Sequence, residues 1–122
     1  MAAVAALVER FLRQERSAGN LLDADTVTAQ AIAATRFYAG FAELDTPATE
    51  IEAATELTDS EWALIRPLFL LYVEREQALH VEASAMLGVS GFGRGTSEIA
   101  GEILQVEADM PRRAFFQPIF TV

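Results

Sequence analysis

The residues able to do chemistry are few, so they bound the problem first. His80 is the only histidine, and Glu74, Glu76 and Glu82 lie near it in the sequence. Imidazole among carboxylates suggests a metal site. A carboxylate di-metal centre, however, needs Glu-x-x-His on two helices, and Gln77 stands three residues before His80. Transition-metal sites generally draw on more than one imidazole. We therefore read His80 as a surface histidine on a helix and expect no metal and no cofactor.

The glycine-rich stretch from Gly88 to Gly95 invites two further motifs. Gly88-Val89-Ser90-Gly91-Phe92 fails as a nucleophile elbow at its fifth position. Gly91-Phe92-Gly93-Arg94-Gly95 follows a helical pattern rather than a strand, so it lacks the frame of a dinucleotide-binding turn. The chain has no lysine for a phosphate-binding loop, and no cysteine for thiolate or disulfide chemistry. The better reading is a loop whose Arg94 meets a partner. Carboxylates are abundant, yet spacing alone reveals no acid–base pair. No enzymatic activity is expected.

Composition narrows the partners. The 122 residues suffice for one domain, and 52% are apolar, which excludes a disordered chain. Eighteen acidic against nine basic residues give a net charge of −9. A chain so acidic is a poor binder of phosphate backbones or anionic lipid. The apolar start, Met1 to Leu12, lacks a basic flank and meets Glu9 and Arg10 early, so it is not read as a signal peptide. The run from Trp62 to Val73 is too short to cross a bilayer. A soluble protein without membrane contact is expected.

Periodicity gives the elements. A first helix is expected over Ala2–Arg16, with Val4, Leu7, Val8, Phe11 and Leu12 on one stripe. A second, from Asp25 to about Ala42, is capped by Asp23 or Asp25 and carries Val27, Ala31, Ala34, Tyr38 and Phe41. Its alanines and Gly40 leave a surface that another helix can approach closely. From Glu50 to Leu57 the period falls to two, as in a half-buried strand with an acidic outer face.

Thr58-Asp-Ser-Glu61 then forms a capping box opening a long helix to Leu87. Ile65, Tyr72, Leu79 and Met86 recur along it every seven residues, and Pro67 predicts a kink or restart. Its first half is apolar on nearly every side, so Trp62, Phe69 and Tyr72 are expected to be covered partly by a neighbouring subunit. Thr96 or Ser97 should cap a fourth helix with Ile99, Ile103, Val106 and Met110 inward, ending at Pro111-Arg112-Arg113. The fold expected is mainly α, a small bundle of about four helices with a minor β element.

Residues 1–113 form the helical domain in this reading, and 114–122 an apolar C-terminal arm. Phe115, Phe116, Ile119, Phe120 and Val122 are costly to leave in water. The arm is expected to extend as a strand, against residues 50–57 or against a neighbouring chain.

This organisation resembles that of the small head-to-tail connector (adaptor or head-completion) proteins of tailed bacteriophages. Two opening helices and an acidic strand lead to Thr58-Asp-Ser-Glu-Trp62-Ala-Leu-Ile-Arg-Pro67-Leu-Phe and Tyr72-Val-Glu-Arg-Glu76. A glycine loop, a short helix and an apolar tail follow. The likeness lies in organisation, most visibly over residues 55–118, and transfers no site residues. It implies a virion protein of the phage neck, assembled in the host cytoplasm. It further implies a homo-oligomeric ring, typically of twelve copies, between portal and tail or collar proteins. DNA would pass through the ring without specific binding, past walls whose negative charge repels it. The contrasting expectation is a non-viral helical oligomeric module that regulates or adapts a partner. A compact dimer with its tail folded back would favour that reading.

Overall fold

The computed structural model describes residues 1–16, 20–46, 50–85 and 94–115. They form a small, mainly helical bundle with one short two-stranded sheet. The strands are β1 (Ala2–Ala3) and β2 (Glu56–Leu57). The helices are α1 (Val4–Arg10), α2 (Ala24–Ala39), α3 (Asp59–Ala85) and α4 (Thr96–Phe115).

The first helical stretch divides into three parts. Ala2 and Ala3 are extended and pair antiparallel with Leu57 and Glu56. The ladder continues as Val4 N–H donates to Thr55 O and Ala5 N–H to Ala53 O, both at 2.9 Å. α1 then runs to Arg10, and Phe11–Glu15 form a wider π-helical turn that closes as Arg16 N–H donates to Phe11 O at 2.8 Å. The apolar stripe is where its spacing puts it: Val4, Leu7, Val8 and Phe11 are buried.

Only the end of the expected strand at 50–57 is one. Thr55 N–H donates to Glu52 O at 3.1 Å, while Glu52 N–H donates to the Thr55 hydroxyl at 2.9 Å. That turn satisfies the backbone locally and leaves Glu56–Leu57 for the ladder. The period-two pattern survives as burial, with Thr55 and Leu57 inside and Glu56 outside. Its described partner is the N-terminal strand rather than the C-terminal arm.

α2 is capped by Asp23, whose carboxylate accepts from Thr26 N–H at 2.8 Å. It buries Val27, Ala31, Ala34, Thr35 and Tyr38. The helix stops at Ala39, so Phe41 falls beyond it and is 48% exposed rather than inward. At the cap, accepting these hydrogen bonds favours the ionised form and holds the Asp23 carboxyl below its ordinary value; nearby His80 adds a little. A depressed carboxylate contributes stability above its unfolded-state pKa and loses it as pH falls through the folded value. The stability difference between wild type and Asp23→Ala should therefore be full near neutrality and shrink below pH about 4. Thermal melts of both proteins across pH 6 to 2 test this, and a pH-independent difference would reject it.

The capping box forms as spelled. Thr58 N–H donates to Glu61 Oε1 at 2.8 Å, and Glu61 N–H donates to the Thr58 hydroxyl at 3.1 Å. From it α3 runs unbroken through Pro67, against the restart expected there. Proline removes one N–H donor, leaving the carbonyl of Ala63 one turn earlier; Ala63 is exposed, where water serves it. The seven-residue recurrence fails for a geometric reason. A straight α-helix drifts about 20° per heptad. Ile65 is fully buried and Tyr72 is 6% exposed, but Leu79 has turned out to 46% exposure.

α4 also passes its proline, reaching Phe115 instead of closing at Pro111–Arg113. Met110 before it is fully buried and Ala114 after it packs on the core, so burial on both sides holds the last turn helical. Ala114 and Phe115 thus belong to α4, and the rest of the expected arm lies outside the described residues. α2 and α4 each pack along α3 and barely meet one another. No helix among the described residues is long and apolar enough to cross a membrane.

Candidate functional site

Arg94 stands just ahead of α4, one residue before Gly95. Its Nε donates to Glu74 Oε2 of α3 at 3.0 Å, and its terminal nitrogens pair with Glu74 and Glu102. The Glu74 carboxylate, with a smaller contribution from Glu98, raises the guanidinium above its ordinary range. Two turns further along α3, Glu82 accepts from the Thr96 N–H and hydroxyl at 3.0 Å. An acid from α3 therefore caps α4, the task the sequence assigns to Thr96 or Ser97. Arg94, expected to meet a partner, serves in this chain as a clamp between two helices.

Because the Arg94 side chain is 35% exposed, water and salt weaken the clamp. Arg94→Met should lower stability by about 1 kcal/mol or less, and 1 M salt should erase most of that difference. Chemical denaturation with urea at low and high salt measures both effects. A difference unchanged by salt would mean that packing, not charge, is lost.

A second link joins the same helices. The Tyr72 hydroxyl donates to Glu107 Oε2 at 2.6 Å, and the Arg75 guanidinium lies 4.8 Å from the ring centre. Burial, then the Glu107 carboxylate, pushes the phenol above its ordinary value near 10. A raised pKa gives stability that is complete below the unfolded-state value and is lost as pH rises toward the folded one. Wild type should lose stability above pH about 10 in a way that Tyr72→Phe does not. Denaturation between pH 8 and 11.5 shows whether the two curves converge.

Phe69 and Tyr72 are covered by their own chain. Phe69 is 1% exposed, its ring 5.1 Å from Phe11 edge-on and 5.2 Å from Trp62. Within the chain Tyr72 is likewise buried, at 6% exposure. Trp62 is half-buried. Phe115 ends α4, and Phe116, Ile119, Phe120 and Val122 lie outside the described residues. His80 is exposed, and no group of three potential metal ligands occurs among the described residues.

The apolar surface lies elsewhere. Leu104 on the outer side of α4 is 67% exposed, with exposed Ala100 and Ala108 one turn to either side. On the outer side of α2, Ala29 and Ala33 are exposed and Phe37 is half-buried. Both stripes repeat every four residues, and that spacing was available in the sequence. The buried stripes are the more legible ones because they are richer in large side chains. Compared with protein-family models, with curated proteins and with solved structures, the chain has no match in any of the three.

Proposed function

We propose that this chain is a structural subunit that assembles with copies of itself into a ring, as a head-to-tail connector in the neck of a tailed phage. The observation that carries the reading is the placement of its outward apolar stripes. α2 and α4 lie along α3 and barely touch; α4 turns Ala100, Leu104 and Ala108 away from the bundle, and α2 turns Ala29 and Ala33 away from it. A subunit with one sticky face makes a dimer, whereas two different faces allow head-to-tail association, which closes into a ring when the rotation permits.

Charge supports the same reading. At −9 per copy, a ring repels a polyanion from its lumen, which suits a conduit for DNA and not a clamp on it. Portal and tail or collar proteins are the proposed neighbours, and the segment after Phe115 is the proposed arm toward them. The chain is proposed to work without enzymatic activity or cofactor.

The test is the mass in solution of the full chain and of a chain ending at Phe115, by sedimentation and negative-stain imaging. A closed ring, formed alone or on addition of a portal protein, is the expected result. A stable dimer indifferent to the truncation and to portal would overturn it in favour of a non-viral helical interaction module.

A further inference from the structure

Resting on the ring reading, we infer that the ring interface is the outer stripe of α4 on one copy laid antiparallel against the outer stripe of α2 on the next.

Register carries the argument. Antiparallel partners keep a constant sum of residue numbers, and setting Leu104 against Ala33 fixes it at 104 + 33 = 137. The same sum sets Ala100 against Phe37, so each large side chain faces a small one. It sets Ala108 against Ala29, where two small residues permit the closest approach. It also sets Arg112, in the last turn of α4, against Asp25, in the first turn of α2. One register thus matches size at three positions and charge at the fourth.

All four α4 positions are exposed; on α2 Asp25, Ala29 and Ala33 are exposed, while Phe37 is half-buried. Phe37 packs with one side on its own core and lies 5.3 Å from the Phe41 ring, so that only its outer edge meets Ala100. Among the described residues Arg112 is held by Asp109 at 3.5 Å, with most of its side chain in water, so it can turn toward a neighbour. The antiparallel arrangement adds opposed helix dipoles, with the acid at one N-terminus meeting the base at the other C-terminus. Turned outward on separate helices, the two stripes cannot meet within one chain. Each copy therefore offers one of each, and the occupant that fits is a second copy.

Because the chain has no cysteine, the contact can be read by cross-linking. Ala33→Cys and Leu104→Cys are made singly and mixed, then treated with a short bismaleimide. The mixture should give a cross-linked dimer at least five-fold above either protein alone, and the double variant a ladder of higher species. Substituting Asp25→Arg should cut the yield several-fold, and adding Arg112→Asp should restore it. Leu104→Cys linking to itself as well as in the mixture would overturn the inference in favour of a symmetric α4 pair. Wild-type rings without the mixed cross-link would overturn the interface while leaving the ring standing. A chain monomeric at every concentration, with and without portal, would remove both.

Discussion

Phe69→Ala should be the most damaging single substitution in the isolated chain, lowering its stability by about 3–5 kcal/mol. The ring is 1% exposed and lies between Phe11 and Trp62 at about 5 Å. Truncation removes its burial and leaves a cavity walled by groups from α3 and the π-helical turn after α1, which packed helices cannot collapse to fill. Domains of this size are stable by only about 5–15 kcal/mol, so the variant should melt roughly 10–20 °C lower. Trp62 is the only tryptophan and touches Phe69, so its fluorescence reports the same event locally. A shift of only a degree or two in monomeric protein, paired with loss of assembly, would return Phe69 to the subunit surface.

Glu61→Ala ranks second, at about 2–4 kcal/mol. The side chain closes the capping box and also reaches back, its Oε2 accepting from Asp45 N–H at 2.8 Å. One carboxylate therefore serves two backbone donors, 3 and 16 residues before it, at only 3% exposure. Alanine removes the partner of both and frees the segment after α2 from the start of α3. Glutamine keeps one acceptor oxygen and turns its NH2 toward the other donor, so Glu61→Gln should recover less than half the loss. Hydrogen exchange at Asp45 and Thr58 would locate the damage. An alanine variant as stable as one at exposed Ser60 would refute the double role.

The sequence reading succeeded where one element alone decides the outcome. The stripe Val4-Leu7-Val8-Phe11, the cap at Asp23 and the box Thr58–Glu61 depend on neighbours within one turn, and these can be counted. It failed where distant residues decide. The reach of Glu61 to Asp45 and the capping of Thr96 by Glu82 join different elements, and nothing local announces them. The alternation at 50–57 reported which side chains face inward but not which backbone would pair with them; β1 does. Neither proline ends its helix, since the burial of Leu68, Phe69 and Met110 around them holds the turns in place. On the proposed assembly surface the sequence is less legible, because most of the large apolar residues point inward. The smaller Ala29-Ala33 and Ala100-Ala108 lines face outward and were overlooked for their size.

The pairing of β1 with β2 sets an order of events during synthesis. Ala2 leaves the ribosome 55 residues ahead of its partner Leu57. At about 5–20 residues per second, the nascent N-terminus waits roughly 3–10 s before that partner exists. Until then Val4, Leu7, Val8 and Phe11 have only α2 to pack against. Synthesis of Leu57 ends this interval, so slowing translation between codons 20 and 57 should lengthen the time the newborn chain is open to chaperones and proteases.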